Sequence, residues 1–129
     1  MTPAAAISML DRQLAAHGER VRLQRLTLGP AGIQVPFSVR CRAFVRGFEP
    51  EELVGGIKQT DSKVILSPTE IMRKAWPGPA IGQQPPGQDR RIPVKDDRVF
   101  IKGKPRNVDA ATGIYLNGVL VRIEMRVIG

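Results

Sequence analysis

The sequence predicts a mainly β protein: a small antiparallel β-barrel or sandwich with an N-terminal helix, a short internal helix and a long Pro/Gly-rich loop. Three observations carry this. Phe37, Val39, Cys41, Ala43 and Val45 share one phase of a period-two pattern, while Ser38, Arg40, Arg42 and Arg46 occupy most of the other. Such alternation marks a half-buried strand. Asn117-Gly118 stands between Ile114–Leu116 and Val119–Val121, the signature of a hairpin closed by a type I′ turn. Finally, 13 glycines and 11 prolines among 129 residues describe a loop-rich chain rather than a helical bundle. A chain of this length builds one core and little more, so strands in series imply one barrel or sandwich.

In order along the chain, Thr2-Pro3 is an N-cap followed by proline at the first helical position. Ile7, Leu10 and Leu14 recur at helical spacing and Gly18 is a stop, which predicts a helix over 3–17. Its narrow apolar stripe suits packing on its own domain or on a neighbouring subunit. Val21–Leu26 alternates as a strand, and Gly29-Pro30 with Gly32 marks a turn before the strand at 37–46. Glu49-Pro50-Glu51-Glu52 reads as a turn or a single helical turn ending at Gly55-Gly56, and Ile57–Gln59 and Lys63–Leu66 as a hairpin across Thr60-Asp61-Ser62. Ser67-Pro68-Thr69-Glu70 has capping-box spacing and starts a short helix ending near Trp76-Pro77. From Pro77 to Gln88 four prolines, three glycines and three glutamines accompany one sizeable apolar residue, Ile81. That composition buries too little surface to order itself, so the stretch is a flexible loop or an arm that orders on a partner. Arg98–Lys102, bounded by Asp96-Asp97 and Gly103, is a strand. In the last strand Val119, Val121, Ile123, Met125 and Val127 alternate with Leu120, Arg122, Glu124 and Arg126. The whole is one domain, 1–129: helix 1–19, first strands and short helix 20–76, loop or arm 77–92, C-terminal strands 93–129.

Little catalytic chemistry is on offer. One histidine and one cysteine form no zinc-ligand pattern and allow no disulfide framework. His17 falls at a helix end, where an imidazolium favours the dipole. Cys41 lies on the apolar phase of its strand, the place of a buried small hydrophobe rather than a nucleophile. Phosphate-cradling Gly-rich motifs and the GxSxG elbow are missing. Glu49, Glu51 and Glu52 flank a proline in one turn, whereas acid–base pairs usually come from separate elements. No enzymatic role and no cofactor is therefore expected. No apolar run is long enough for a membrane helix, and Met1–Ala16 lacks a basic n-region before a continuous apolar stretch; a reduced, cytosolic setting is expected.

Twenty Lys and Arg against twelve Asp and Glu leave a net charge of +8, which favours acidic partners. Arg40, Arg42 and Arg46 on one strand, and Arg122 and Arg126 on another, face away from their apolar neighbours. If the two strands share a sheet, these five form a candidate basic face that meets phosphates, meets acids on another protein, or is simply solvated. Six aromatic residues are a sparse supply for base stacking, and no run of basic residues reads as a nucleic-acid tail.

The order of elements resembles the head–tail joining proteins of tailed bacteriophages and prophages, including the head-completion or stopper group. The likeness is carried by Val21–Leu26, by Phe37–Arg46 leading into Gly47-Phe48, by Lys63–Ile71, by Asp97–Gly103 and by the closing strand Gly118–Arg126. It spans about residues 20–129, as an arrangement of elements rather than an invariant motif; the N-terminal helix has no counterpart in it. The resemblance implies a non-catalytic virion protein, made in the host bacterial cytoplasm. There a small β-barrel assembles into a six- or twelve-fold ring in the neck. The ring closes the DNA channel beneath a portal or adaptor protein and offers a platform to a tail-terminator or tail protein, touching packaged DNA non-specifically and no membrane. It further implies that a long loop lines or plugs the channel, for which Pro77, Pro79, Ile81, Gln83, Pro85, Pro86, Arg90 and Arg91 are the candidates. The alternative from a different class is a basic β-barrel that binds single-stranded nucleic acid or RNA.

Overall fold

The computed structural model describes residues 2–28, 30–47, 61–76, 89 and 91–128. Helix α1 covers Pro3–His17, the span the sequence predicts, with Thr2 Oγ1 accepting from the Ala5 amide at 3.1 Å. Gly18 ends it in an extended conformation (φ −85°, ψ 178°) rather than a left-handed one. The reason for glycine is proximity: a Cβ here would meet the Leu14 carbonyl at 2.6 Å and the Ala43 carbonyl at 2.9 Å. Leu10 and Leu14 bury themselves against Ile65 and Phe44, so of the two expected destinations α1 takes its own domain.

Six strands follow: β1 Glu19–Leu28, β2 Gln34–Gly47, β3 Ser62–Leu66, β4 Arg98–Ile101, β5 Lys104–Leu116 and β6 Val119–Ile128. They close into a barrel in the order β1-β2-β3-β6-β5-β4, every neighbour antiparallel. Closure removes the unpaired edges that an open sandwich would leave, which resolves the choice between barrel and sandwich. The inward phase is the predicted one over most of the sheet: Leu23, Val39, Ala43, Val64, Val99 and Ile123 are all at most 2% exposed. Helix α2, Pro68–Arg73, is capped by Ser67, whose Oγ accepts from the Thr69 amide at 3.2 Å.

Three expectations need correction. Lys63–Leu66 pairs with β2 on one edge and β6 on the other, leaving no edge for a hairpin with Ile57–Gln59; those residues, like Glu49–Glu52, lie outside the described ones. Strand β5 begins ten residues earlier than the hairpin signal at Ile114. Its first half carries Pro105 and has only Val108 fully buried, so it shows no alternation to read. The two-residue Lys102-Gly103 turn, both at positive φ, joins it to β4. Last, the phase of β6 changes at a bulge. Ile114 pairs with Arg122 but Tyr115 pairs with Leu120, making Val121 the extra residue. Leu120 therefore points into the core (0% exposed), Val119 points out (43%), and Val121 is buried outside the barrel. There it lines a cleft of about 160 Å³ beneath α1 with Ala6, Met9, Leu10 and Gln13. The predicted turn at Asn117-Gly118 is present, both residues having positive φ (51° and 77°) as type I′ requires.

β1, β3 and β5 all finish at one end of the barrel. Trp76, 2% exposed, lies within the core there and donates its indole N–H to the Phe37 carbonyl at 2.9 Å. Beside it an arginine from the inward phase of β1 enters the barrel: Arg25 gives Nε to Asp97 Oδ1 at 2.9 Å and Nη2 to Oδ2 at 2.7 Å, and its guanidinium lies 4.9 Å from the Trp76 ring centroid. Asp97 Oδ2 also accepts from the Val94 amide at 2.9 Å. The pair is thus buried with most of its hydrogen bonds made, as a charge inside a protein requires.

Candidate functional site

Strands β2 and β6 do lie in one sheet, with β3 between them, and Arg46, Lys63 and Arg126 share one cross-strand row. The row is nevertheless not an open basic face. Glu124 pairs with Arg122 at 2.8 Å and with Lys63 at 3.3 Å, and Arg126 pairs with Asp109, the residue set out of register by a second bulge. Arg42 is committed elsewhere: its Nε donates to the Leu14 carbonyl at 2.9 Å and its Nη2 to the Gly18 carbonyl at 2.6 Å. It caps the C-terminus of α1 and fixes the helix to the barrel. Arg46 donates to the Gly47 carbonyl at 3.2 Å. Of the five arginines predicted to form a basic face, four are drawn into contacts within the chain, and Arg40 stands exposed with a different set of neighbours.

Those neighbours come from β1 and β4. Arg22 lies directly opposite Arg40, and Arg20 opposite Arg42; on its other side β1 places Arg22 opposite Phe100 and Gln24 opposite Arg98. Arg20, Arg22, Arg40 and Arg98 are exposed, and no acidic side chain among the described residues pairs with them. The Arg22 guanidinium lies over the Phe100 ring, 4.1 Å from its centroid, a cation–π contact that holds it flat on the sheet. At the side of this face, Arg20, Arg40, Arg42 and Glu70 line a cleft of about 260 Å³. Burial pushes the Glu70 carboxyl above its ordinary range, opposed by its own amide and aided by Asp11. Arg20 and Arg22 alternate with Val21 and Leu23, a visible signal. Their meeting with Arg40 and Arg98 depends on pairing across the sheet, which no local pattern encodes.

The Trp76 end carries the second notable surface. Exposed apolar side chains collect on its connections: Ile33 just before β2 and Val35 near its start, Met72 on α2, and Ile114, Tyr115 and Val119 at the β5–β6 hairpin. Asp89 and Arg91 are tied down among them. Arg91 Nη2 and Nε reach the Asp89 carboxylate at 2.6 and 2.9 Å, the Tyr115 hydroxyl donates to it at 2.9 Å, and Arg91 Nη1 contacts Met72 Sδ at 3.6 Å. These bonds, chiefly from Arg91, hold the Asp89 carboxyl down at about 2. Ile92 follows into the core, packed where Gly113 lacks a side chain; a Cβ on Gly113 would collide with Ile92 and come within 2.9 Å of Leu120. Of the predicted channel-loop residues only Arg91 is placed here; Pro77, Pro79, Ile81, Gln83, Pro85, Pro86 and Arg90 lie outside the described residues.

Reactive groups are not gathered. Cys41 is inside the barrel, and burial pushes its thiol up to about 12, with Glu70 adding to the shift. His17 is exposed at the end of α1. Among the described residues no cluster of His, Cys, Asp and Glu is arranged to hold a metal, and no helix is long and apolar enough to cross a membrane. Fold and surfaces together define a closed six-stranded antiparallel barrel braced by one outer helix, with an arginine face that no acid among the described residues pairs with and an apolar end. No known protein family matches the chain, and no characterised protein matches it in sequence.

Proposed function

We propose that this protein is a structural component of a phage neck, a barrel that assembles into a ring between portal or adaptor and tail and acts without catalysis. The observation that carries the reading is how the molecule can associate. A closed barrel has no strand edge to lend, so contacts with neighbours fall to loops and ends. Apart from Met9 on α1, the large exposed apolar side chains among the described residues lie at the Trp76 end, on three parts of the chain. Single exposed apolar residues are ordinary; several sharing one end mark an interaction surface. Trp76 and the Asp89–Arg91–Tyr115 knot, the described residues that flank the Pro/Gly-rich segment in sequence, lie at that same surface. The resemblance of the element order to that of head–tail joining proteins, read from the sequence, points the same way.

The test is cosedimentation of the purified protein with DNA-filled, portal-bearing capsids, followed by electron microscopy of the necks. A monomer that joins capsids as a ring is expected. Met72→Asp with Tyr115→Asp should prevent joining while leaving the melting transition of the monomer in place, and removal of residues 78–88 should leave a folded monomer that no longer supports tail attachment. Protein that ignores such capsids at every concentration would end this reading.

A further inference from the structure

The neck reading implies non-specific contact with packaged DNA but assigns that contact to none of the four exposed arginines on β4, β1 and β2. We infer that this face, made by Arg20, Arg22, Arg40 and Arg98 around Phe100, binds the phosphate backbone of double-stranded DNA without reading its sequence. The inference does not rest on ring assembly, since one barrel presents the whole face.

Charge placement is the first argument. Like charges directly opposite one another on a sheet destabilise it, yet Arg22 stands opposite Arg40 and Arg20 opposite Arg42. Elsewhere five cations are neutralised: Lys63 and Arg122 by Glu124, Arg126 by Asp109, Arg91 by Asp89, Arg25 by Asp97. Acids are therefore available to this chain and are used, yet among the described residues none forms an ion pair on this face; Glu70, in the cleft beside it, pairs with none of the four. A repulsive arrangement left without an ion-pair partner among the described residues is accounted for by an external anion.

The second argument is the form of that anion. Opposed residues on neighbouring strands have Cβ atoms about 5 Å apart, and alternate residues along a strand are about 6.7 Å apart. Four guanidinium groups at that density need closely spaced negative charges. Duplex DNA carries one per about 1.7 Å of axis; an acidic protein surface of equal density would repel itself. All four cations are arginine, whose planar fork suits bidentate contact with phosphate, and Arg22 is held flat by Phe100 with its edges free to donate. The third argument is what the face lacks. Its one aromatic ring is covered by Arg22 and only partly exposed, so it offers neither a platform for unpaired bases nor the apolar anchor a protein partner uses.

The experiment is fluorescence anisotropy of a short labelled duplex of arbitrary sequence, titrated with the full-length protein between about 50 and 200 mM salt. Wild-type protein should bind, with affinity falling linearly in a double-logarithmic salt plot. Arg22→Ala with Arg40→Ala should reduce the slope by about 1.8, at about 0.9 for each phosphate left unneutralised. Arg122→Ala with Arg126→Ala removes the same formal charge from the neutralised side of the barrel and should leave the slope unchanged; melting curves confirm that both variants fold. Equal losses in the two variants would reduce the effect to net charge and overturn the assignment. So would an absence of duplex binding, tighter binding to a single strand, or tighter binding to polyglutamate. Duplex binding by a monomer that never joins capsids would uphold this inference and remove the neck reading; capsid joining without duplex affinity would do the reverse.

Discussion

Arg25 and Asp97 stand 72 positions apart in the chain and meet inside the barrel with both forks engaged. Removing one partner strands the other charge where water does not reach, so Asp97→Ala should cost about 3–5 kcal/mol; it also takes the acceptor from the Val94 amide. Replacing both, as Arg25→Met with Asp97→Leu, should restore part of that loss, because apolar substitutes of similar size leave no orphan charge. Denaturant unfolding of the three chains measures this, and a double variant worse than the single one would contradict it. Asp89 gives a pH dependence of defined sign. Its folded value of about 2 lies below the ordinary 3.8, so the native state binds this proton less readily than the unfolded chain. The resulting stability is present above about pH 4 and is lost as the pH falls through 4 towards 2. Asp89→Asn should flatten the melting temperature over that window; equal slopes in the two proteins would show that the Arg91 and Tyr115 bonds do not act on folding.

At the scale of elements, the bulge in β6 separates two residues that simple alternation places together. Ile123 is fully buried in the barrel core, whereas Val121 belongs to the cleft under α1. Ile123→Asp introduces an unpaired charge into the core and should abolish folding. Val121→Asp should instead release α1 from an intact barrel, reducing helical circular dichroism while the unfolding transition of the strands persists; coincident loss of both signals would place Val121 in the core after all. This difference also shows what is legible in the sequence. Helix α1 is readable to the residue because Thr2, Pro3 and Gly18 act through contacts within a few positions. The Asn117-Gly118 turn is readable because its backbone demand is local. Bulges are not: they arise where two strands of unequal curvature must stay paired, and neither strand carries the mark alone. The first half of β5 is hidden for a similar reason, since its outer residues face solvent and Val108 alone is fully buried. The basic face is half legible. Arg40 is visible, and so is Glu124 two places from Arg122, but the meeting of Arg126 with Asp109 depends on the β5–β6 register, and the neighbours Arg22 and Arg98 on pairing of β1 with β2 and β4.

For the molecule as a whole, the two surfaces lie on different parts of a rigid shell: arginines on the wall formed by β4, β1 and β2, apolar side chains at the Trp76 end. A closed barrel that associates through such surfaces should do so without exchanging strands. Hydrogen exchange measured before and after assembly should therefore show unchanged protection along the six strands, with new protection at α2, at the β1–β2 connection and at the β5–β6 hairpin. Widespread loss of strand protection on assembly would show that the barrel opens. The same closure has a temporal side. The seam of the barrel joins Val21–Gln24 to Arg98–Ile101, so β1 finishes emerging from the ribosome about 73 residues before its second neighbour does. At synthesis rates of about 5–20 residues per second, that leaves one edge of β1 open for about 4–15 s. A nascent chain that stalls in this interval displays an unpaired strand rich in Val, Leu and Arg, available to the next copy on the same messenger. Arg20 and Arg22 alternate along that strand, and their mutual repulsion between copies keeps the unfinished chains apart.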